Sequence, residues 1–142
     1  MSARTFLDTN VLVYLFDRDE PEKRELARRT LQSQEFLPFV VSTQVLGELY
    51  VTLTRKLTPR MDADFARAAV RRFSDFFVVS ADVSMVVQAM DTAETAQLSY
   101  WDAVIIEAAA RAGCDRILTE DLAAGSVLRG VLIDNPFCAD NA

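Results

Sequence analysis

The chain has 142 residues, of which 51% are hydrophobic and 25% charged, and its formal net charge is −6. This length and composition predict a single domain over residues 1–142 with one hydrophobic core, and they exclude disordered and low-complexity classes. No apolar run approaches the roughly 20 residues of a membrane-spanning helix, and the first residues do not resemble a signal peptide. We therefore expect a cytoplasmic protein with no membrane contact.

The chain contains no histidine and only two cysteines, Cys114 and Cys138, which lie in no metal-binding motif. Without an imidazole, Ser-His-Asp, Cys-His and two-histidine mechanisms are excluded, and neither a zinc site nor a disulfide framework is indicated. The glycines match neither the GxxxxGK[ST] nor the GxGxxG spacing, which argues against phosphate-loop and dinucleotide-binding classes. Any catalysis would depend on carboxylates, a metal ion, or lysine and arginine.

Five short apolar runs, each ending at a polar residue, alternate with stretches of helical periodicity. In chain order, the sequence predicts a strand at 5–7, a helix from 21 to about 34, a strand at 39–41, helices at 43–56 and 62–75, a strand at 76–79, helices at 82–97 and 101–112, and strands at 117–118 and 131–133. Strands that are apolar on both faces are typical of parallel sheets covered by helices. The pattern predicts an α/β fold of three layers.

Four acidic residues occupy positions where parallel sheets bind ligands, beyond the carboxyl ends of the strands. Asp8 and Asp121 directly follow the first and fourth predicted strands, and Asp102 begins the nearly apolar helix at 101–112. Glu48 lies about two turns into the helix after the second strand, on a side that we expect to face inward. The four acids are therefore expected near one edge of the sheet.

Each acid taken singly has a structural explanation. Asp8 could cap a helix that starts near Val11, Asp121 could cap a turn, Glu48 could be a partly exposed helix residue, and Asp102 could pair with a capping Ser99. Together, however, four like charges without a neighbouring basic residue would repel one another unless a hard cation lies among them. The cluster therefore predicts a Mg²⁺ or Mn²⁺ site. Such a site can activate water and stabilise charge on phosphoryl oxygens, which is sufficient for phosphodiester hydrolysis.

The residues around these acids form a series of motifs that resembles a known family. They are FLDTNVLVY at 6–14, LGELY at 46–50, LSYWDA at 98–103, ILTEDL at 117–122 and NPF at 135–137. Their order and spacing resemble a PIN domain, specifically the VapC-type ribonuclease toxins of bacterial toxin–antitoxin pairs. The resemblance covers roughly residues 4–137.

This resemblance implies a fold, an activity and partners. It implies a five-stranded parallel sheet in the order 3-2-1-4-5 flanked by helices, and Mg²⁺- or Mn²⁺-dependent cleavage of single-stranded RNA. It also implies a homodimer and inhibition by a small antitoxin protein that occupies the active-site groove. By position, the catalytic and metal-binding residues would be Asp8, Glu48, Asp102 and Asp121, and the possible supporting residues would be Asn10, Thr119 and Glu120.

Two features could contact RNA, although each has a structural alternative. The segment from 55 to 72 contains six basic residues, which are Arg55, Lys56, Arg60, Arg67, Arg71 and Arg72. They could guide RNA, but arginines at the end of a helix also complement its dipole. Tyr100 and Trp101 precede Asp102 and could stack on a base, but aromatics that begin a buried helix more often pack in the core. We expect the structural role for both.

Several other functions remain as alternatives. A haloacid-dehalogenase-like phosphatase also has an acid after its first strand but requires a second Asp two residues later, where this chain has Asn10. A phospho-receiver module requires a lysine after its fifth strand, whereas the only lysines are Lys23 and Lys56. A PIN-fold nuclease or RNA-processing protein outside a toxin–antitoxin pair is the nearest alternative. An inactive PIN fold retained as a binding module is disfavoured by the intact acids.

Overall fold

A computed structural model describes residues 3–138. The strands are β1 (Arg4–Leu7), β2 (Phe39–Ser42), β3 (Phe77–Val79), β4 (Cys114–Leu118), β5 (Val127–Leu128) and β6 (Val131–Asp134). The α-helices are α1 (Thr9–Tyr14), α2 (Pro21–Gln32), α3 (Thr43–Val51), α4 (Ala63–Phe73), α5 (Val83–Ala96) and α6 (Tyr100–Arg111). A 3-10 turn covers Gln34–Phe36, and a π-helical turn covers Thr52–Lys56.

The strands form one sheet in the order β3-β2-β1-β4-β6-β5. The pairs β3-β2, β2-β1, β1-β4 and β4-β6 are parallel, so the predicted five-stranded parallel sheet and its 3-2-1-4-5 order are confirmed, with β6 as the fifth predicted strand. The sequence did not predict β5, which pairs antiparallel with β6 at the edge. Two residues are too few to produce a periodic pattern, and the tight turn at Arg129 and Gly130, which have φ of 52° and 77°, was the only local signal.

The predicted helices are present, with small differences at their ends. The side chains of Asp62, Asp82 and Ser99 accept hydrogen bonds from backbone N–H groups three residues later, which is the usual way that such residues start helices. The predicted helix at 43–56 is α-helical only to Val51 and then widens into the π-helical turn. Within residues 3–138, no helix is both long enough and apolar enough to cross a membrane.

The core lies where the sheet meets its flanking helices, and it explains why the sequence is so apolar. All four residues of β2 are buried, and α6 is buried continuously from Ala103 to Ala109, as its composition predicted. Because the central strands β1 and β4 end side by side, the residues that follow them are held together at one edge of the sheet. That edge carries the polar residues described next.

Candidate functional site

Asp8 is the centre of the polar network at the carboxyl edge of the sheet. It directly follows β1 and is only 8% exposed. One carboxylate oxygen accepts a hydrogen bond from the backbone N–H of Thr9 at 2.7 Å, and the other accepts one from the Thr119 hydroxyl at 2.8 Å. The predicted cap role is present, since Asp8 begins α1, but the helix starts at Thr9 rather than near Val11.

Thr119 connects Asp8 to the loop after β4. Its hydroxyl oxygen accepts hydrogen bonds from the Asn10 amide at 3.3 Å and from the backbone N–H of Asp121 at 3.1 Å. The same Asn10 amide donates to the Asp121 carboxylate at 3.1 Å. These contacts place Asn10 and Thr119 between two of the predicted metal ligands, Asp8 and Asp121.

Glu48 contacts the same network from α3. Its carboxylate accepts hydrogen bonds from the Thr9 hydroxyl and from the Gln44 amide, both at 2.9 Å. The expectation that Glu48 faces inward is wrong, because the residue is exposed. The helix is buried on the side of Val45 and exposed at Val51, and Glu48 lies on the exposed side with its carboxylate turned toward Thr9.

Asp102 is half-buried in the first turn of α6. Its backbone N–H donates to the capping Ser99 hydroxyl at 3.1 Å, as the capping alternative predicted. Within residues 3–138, none of the described hydrogen bonds joins its side chain to the other three acids. The contacts therefore bring together Asp8, Glu48 and Asp121 and leave Asp102 outside the network.

Charge and burial together perturb Asp8. Burial raises the pKa of Asp8 from 3.8 to about 6, and the negative charges of Asp121 and Glu48 contribute to the rise. The hydrogen bonds from Thr119 and Thr9 oppose it by stabilising the carboxylate. Because no cationic side chain is among the causes of this shift, the protein itself leaves the charge of Asp8 uncompensated.

Glu120 belongs to a separate cluster on the other side of the loop. Its carboxylate accepts hydrogen bonds from the Tyr14 hydroxyl and, at 3.0 Å, from the Lys23 ammonium group. Lys23 also lies 5.0 Å from the centre of the Tyr14 ring, and its pKa is raised by the hydrogen bonds to Glu120 and Tyr14. Glu120 therefore anchors the loop to α1 and α2, while its backbone N–H donates to Asn10 at 3.3 Å.

The donor chemistry of the network fits a hard divalent cation. Asp8, Glu48 and Asp121 offer carboxylate oxygens, which Mg²⁺ and Mn²⁺ prefer, and Mg²⁺ commonly uses only one or two carboxylates while keeping several waters. Among residues 3–138, no three acidic, cysteine or histidine side chains are close enough to form a ready-made metal cage. The uncompensated carboxylate of Asp8 is the observation that favours a cation here, and the side chains would have to rotate to bind it together.

The aromatic and basic features that could contact RNA have different outcomes. Trp101 is 64% exposed, so the expectation that it packs in the core is wrong, whereas Tyr100 does pack against a small buried cluster. Trp101 is the second residue of α6, and the buried face of that helix begins only at Ala103.

In the basic segment, the exposed Arg67 pairs with Asp64 at 3.0 Å, and the arginines at the end of α4 complement the helix dipole as expected.

The family of the chain follows from a match that includes this whole network up to Asp121. The PIN domain model matches residues 5–126. The chain belongs to the PIN domain family. The match covers β1 from Thr5, all of β2, β3 and β4, and all four predicted acids. The parallel 3-2-1-4-5 order that we expected for a PIN fold is present.

Solved structures with a similar fold support this assignment. The VapC20 toxin of Mycobacterium tuberculosis, described as cleaving the sarcin–ricin loop, is 22% identical with a TM-score of 0.65 over 80% of this chain and 86% of that chain. A toxin–antitoxin complex from Klebsiella pneumoniae is 20% identical with a TM-score of 0.70, over 96% and 98% of the two chains. A DNA-bound VapBC from Salmonella typhimurium is 21% identical with a TM-score of 0.63, over 95% and 99%. No curated protein sequence matches this PIN chain significantly.

Several residues of the network were not predicted. Thr9 and Gln44 hold the Glu48 carboxylate, and Tyr14 and Lys23 hold Glu120. Thr9 lies between Asp8 and Asn10, so the motif itself was a signal. Lys23 is one of only two lysines, but nothing in its local sequence indicates a partner 97 residues away.

Proposed function

We propose that this PIN protein is an endoribonuclease that cleaves single-stranded RNA with a water molecule activated by Mg²⁺ or Mn²⁺. The observation that carries the proposal is the buried Asp8 carboxylate, whose pKa is raised to about 6 by burial and by the nearby charges of Asp121 and Glu48. Such a group is stabilised by a bound cation. Because the chain belongs to the PIN family, we no longer consider the phosphatase and phospho-receiver alternatives.

The side chains have distinct roles in this proposal. Asp8, Glu48, Asp102 and Asp121 would hold the ion, which when bound supplies an activated water and stabilises charge on the phosphoryl oxygens. Thr119 orients Asp8 through its 2.8 Å hydrogen bond. Thr9 orients Glu48 at 2.9 Å. Asn10 and Glu120 fix the loop that carries Asp121.

A cleavage assay with a matched variant tests the activity. Purified protein should cleave a mixed pool of single-stranded RNA when Mg²⁺ or Mn²⁺ is present and should stop in chelator. Asp8→Asn keeps the size of the side chain but removes its charge, so its rate should fall by at least about a hundredfold. Cleavage that persists undiminished in chelator, with protein free of contaminating nuclease, would refute the metal mechanism.

We further infer that the protein acts as the toxin of a toxin–antitoxin pair in the cytoplasm. A groove between α2 and α4 could receive the antitoxin, because it has an aromatic floor that includes Phe16 and Phe73 and is lined by Arg24, Arg28 and Arg72. An amphipathic segment with acidic residues is complementary to such a groove. α1 runs from the site at Asn10 toward this groove, so an antitoxin there would lie close to the acids.

Growth and binding experiments distinguish a toxin from a PIN nuclease outside a toxin–antitoxin pair. Induced expression of the wild type should arrest bacterial growth, and Asp8→Asn should not. Co-expression of the cognate antitoxin should restore growth. Arg28→Glu with Arg72→Glu should weaken that rescue while leaving RNA cleavage intact. Cleavage without growth arrest would favour the alternative.

We also infer a homodimer, for which α5 offers a surface. Val83, Val87 and Met90 share one side of α5 at helical spacing and are 79%, 52% and 51% exposed. Apolar side chains that recur on one exposed face commonly mark an interface. Sedimentation should detect a dimer, and Val87→Asp should convert it to a monomer; a wild type that is monomeric at all concentrations would contradict the inference.

A further inference from the structure

Trp101 is the most unexpected side chain near the candidate site. It is a large aromatic at 64% exposure, and it immediately precedes Asp102, which by position is one of the four candidate metal ligands. Burying an aromatic of this size would contribute substantially to folding. The fold instead leaves the ring in solvent, while the neighbouring Tyr100 packs against a buried cluster.

The ring of Trp101 is also held in place. It meets Tyr100 edge to face, with ring centres 5.0 Å apart and planes at 77°. Aromatic pairs prefer this arrangement. Tyr100 is in turn fixed by its packing at the start of α6. The contact with Tyr100 limits the orientations of a ring that stays 64% exposed, as a stacking platform requires.

Electrostatics favours a base as the partner of this ring. The chain has a net charge of −6, the candidate site is built from acids, and the nearby Lys23 is already paired with Glu120. Among residues 3–138, the hydrogen bonds to Asp8, Glu48 and Asp121 come from neutral groups and bring no basic side chain to this network. Stacking of a base on an aromatic ring supplies affinity without charge and tolerates any base.

We propose that Trp101 is the stacking platform for an unpaired base beside the scissile phosphate; this rests on the proposed ribonuclease activity. Trp101 and Asp102 are consecutive residues of α6, with Cα atoms about 3.8 Å apart. A base stacked on Trp101 would therefore lie within one or two nucleotides of a phosphate bound through an ion at Asp102. A base in a duplex is already stacked and cannot offer a free face. Trp101 thus contributes to selection of single-stranded over double-stranded RNA.

Trp101 is the only tryptophan of the chain, so intrinsic fluorescence reports on this residue alone. The Asp8→Asn variant, in which we expect cleavage to be at least about a hundredfold slower, is titrated with a single-stranded RNA oligonucleotide and with a perfect duplex, while fluorescence anisotropy of a labelled RNA reports total binding. We expect saturable quenching of Trp101 by the single strand and little by the duplex. Anisotropy that shows binding without quenching would overturn the proposal.

Measurement of KM and kcat for Trp101 variants is a second test of the proposal. Trp101→Leu in the otherwise wild-type chain should raise KM for single-stranded RNA about 5- to 100-fold with little change in kcat, since a lost stacking contact weakens binding by roughly that factor. Trp101→Phe keeps an aromatic face and should recover most of the affinity. Phe77→Leu is the matched control, because Phe77 is 53% exposed but lies on the edge strand β3.

The outcomes separate this proposal from the function on which it rests. If the wild type cleaves RNA and Trp101→Leu has an unchanged KM, the stacking role is wrong and the ribonuclease remains. If Trp101 fluorescence changes with protein concentration alone, a second copy covers the ring and the proposal is also wrong. A wild type that neither binds nor cleaves RNA overturns both.

Discussion

Asp8 and Glu107 are two buried carboxylates that the protein treats in opposite ways. Glu107 lies on α6, is 1% exposed, and accepts hydrogen bonds from the Thr92 hydroxyl at 2.9 Å and from the Arg129 guanidinium at 3.1 Å. Asp8 is 8% exposed and accepts hydrogen bonds only from neutral groups of Thr9 and Thr119. One buried charge is neutralised within the fold and the other is not.

This difference indicates which carboxylate is structural and which is available for chemistry. A buried charge with a cationic partner fixes the packing of its elements, here α6 against the β5–β6 hairpin through Glu107 and Arg129. A buried charge without one costs free energy in folding, and it persists where a ligand or a reaction requires it. Burial alone would not have separated Asp8 from Glu107; the partners do.

The largest expected effect is a pH dependence of stability due to Asp8. Its pKa is about 6 in the folded protein against 3.8 ordinarily, so between these values the folded state binds more protons and its stability falls as pH rises. Asp8→Asn removes this loss, so in chelator the variant should gain on the wild type by about 2 kcal/mol between about pH 4 and about pH 7. Urea unfolding at both pH values measures the difference.

A difference that stays constant across this pH range would mean that Asp8 is compensated in the folded state, as Glu107 is. Asp8 and Glu107 would then not differ in whether their buried charge is compensated. Glu107→Gln, measured in the same way, is the control for the general effect of removing a buried carboxylate.

A smaller effect, of opposite sign, is expected at Glu107. Glu107→Gln should lower the free energy of unfolding by about 1–3 kcal/mol, because the amide cannot pair with the Arg129 charge. The loss should stay at the lower end, since the Arg129 side chain is 51% exposed and can turn to water. Arg129→Asn, which tolerates the local φ of 52°, should lose more, because it leaves the buried Glu107 carboxylate without a cationic partner. The double variant should lose less than the sum.

The sequence was sufficient to predict the parallel sheet and its helices because those features follow from local patterns. Strands buried on both faces are continuous apolar runs, and helices that pack on them carry caps such as Asp62 and Asp82. The two-residue strand β5 has no such pattern. Its position depends on pairing with β6, which only the folded chain specifies.

The candidate site was predictable as a set of acids but not as a network. The order of strands brings Asp8 and Asp121 together, and the sequence was enough to predict that each directly follows a strand. The side-chain partners were not, because Thr119 reaches Asp8 across 111 residues and Lys23 reaches Glu120 across 97. Exposure was also mispredicted for Trp101 and Glu48, since an apolar helix such as α6 and a half-buried helix such as α3 do not reveal where their buried faces end.

Ser99 allows the capping role at the start of α6 to be tested apart from any metal role. Its hydroxyl accepts the backbone N–H of Asp102 at 3.1 Å. Ser99→Ala should therefore lower the free energy of unfolding by about 1 kcal/mol, equally in chelator and in millimolar Mg²⁺. Ser99→Thr, which keeps the hydroxyl, is the matched control. A loss that depends on metal would show that Ser99 acts through the site rather than through the helix.

Substitution of Asp102 should have the smallest effect on stability. It also tests most directly whether this residue binds the ion, because Asp102 is the one candidate ligand outside the contact network. The capping bond uses its backbone N–H, which Asp102→Ala retains, so in chelator the variant should differ from the wild type by no more than about 0.5 kcal/mol, the contribution of an acid to the helix dipole. In millimolar Mn²⁺ the wild type should melt at a higher temperature, because an ion that binds only the folded state stabilises it. If Asp102 joins Asp8 around the ion, the variant should show a much smaller rise. A variant that keeps the full rise would place Asp102 with Glu107 among the structural carboxylates and leave the ion to Asp8, Glu48 and Asp121.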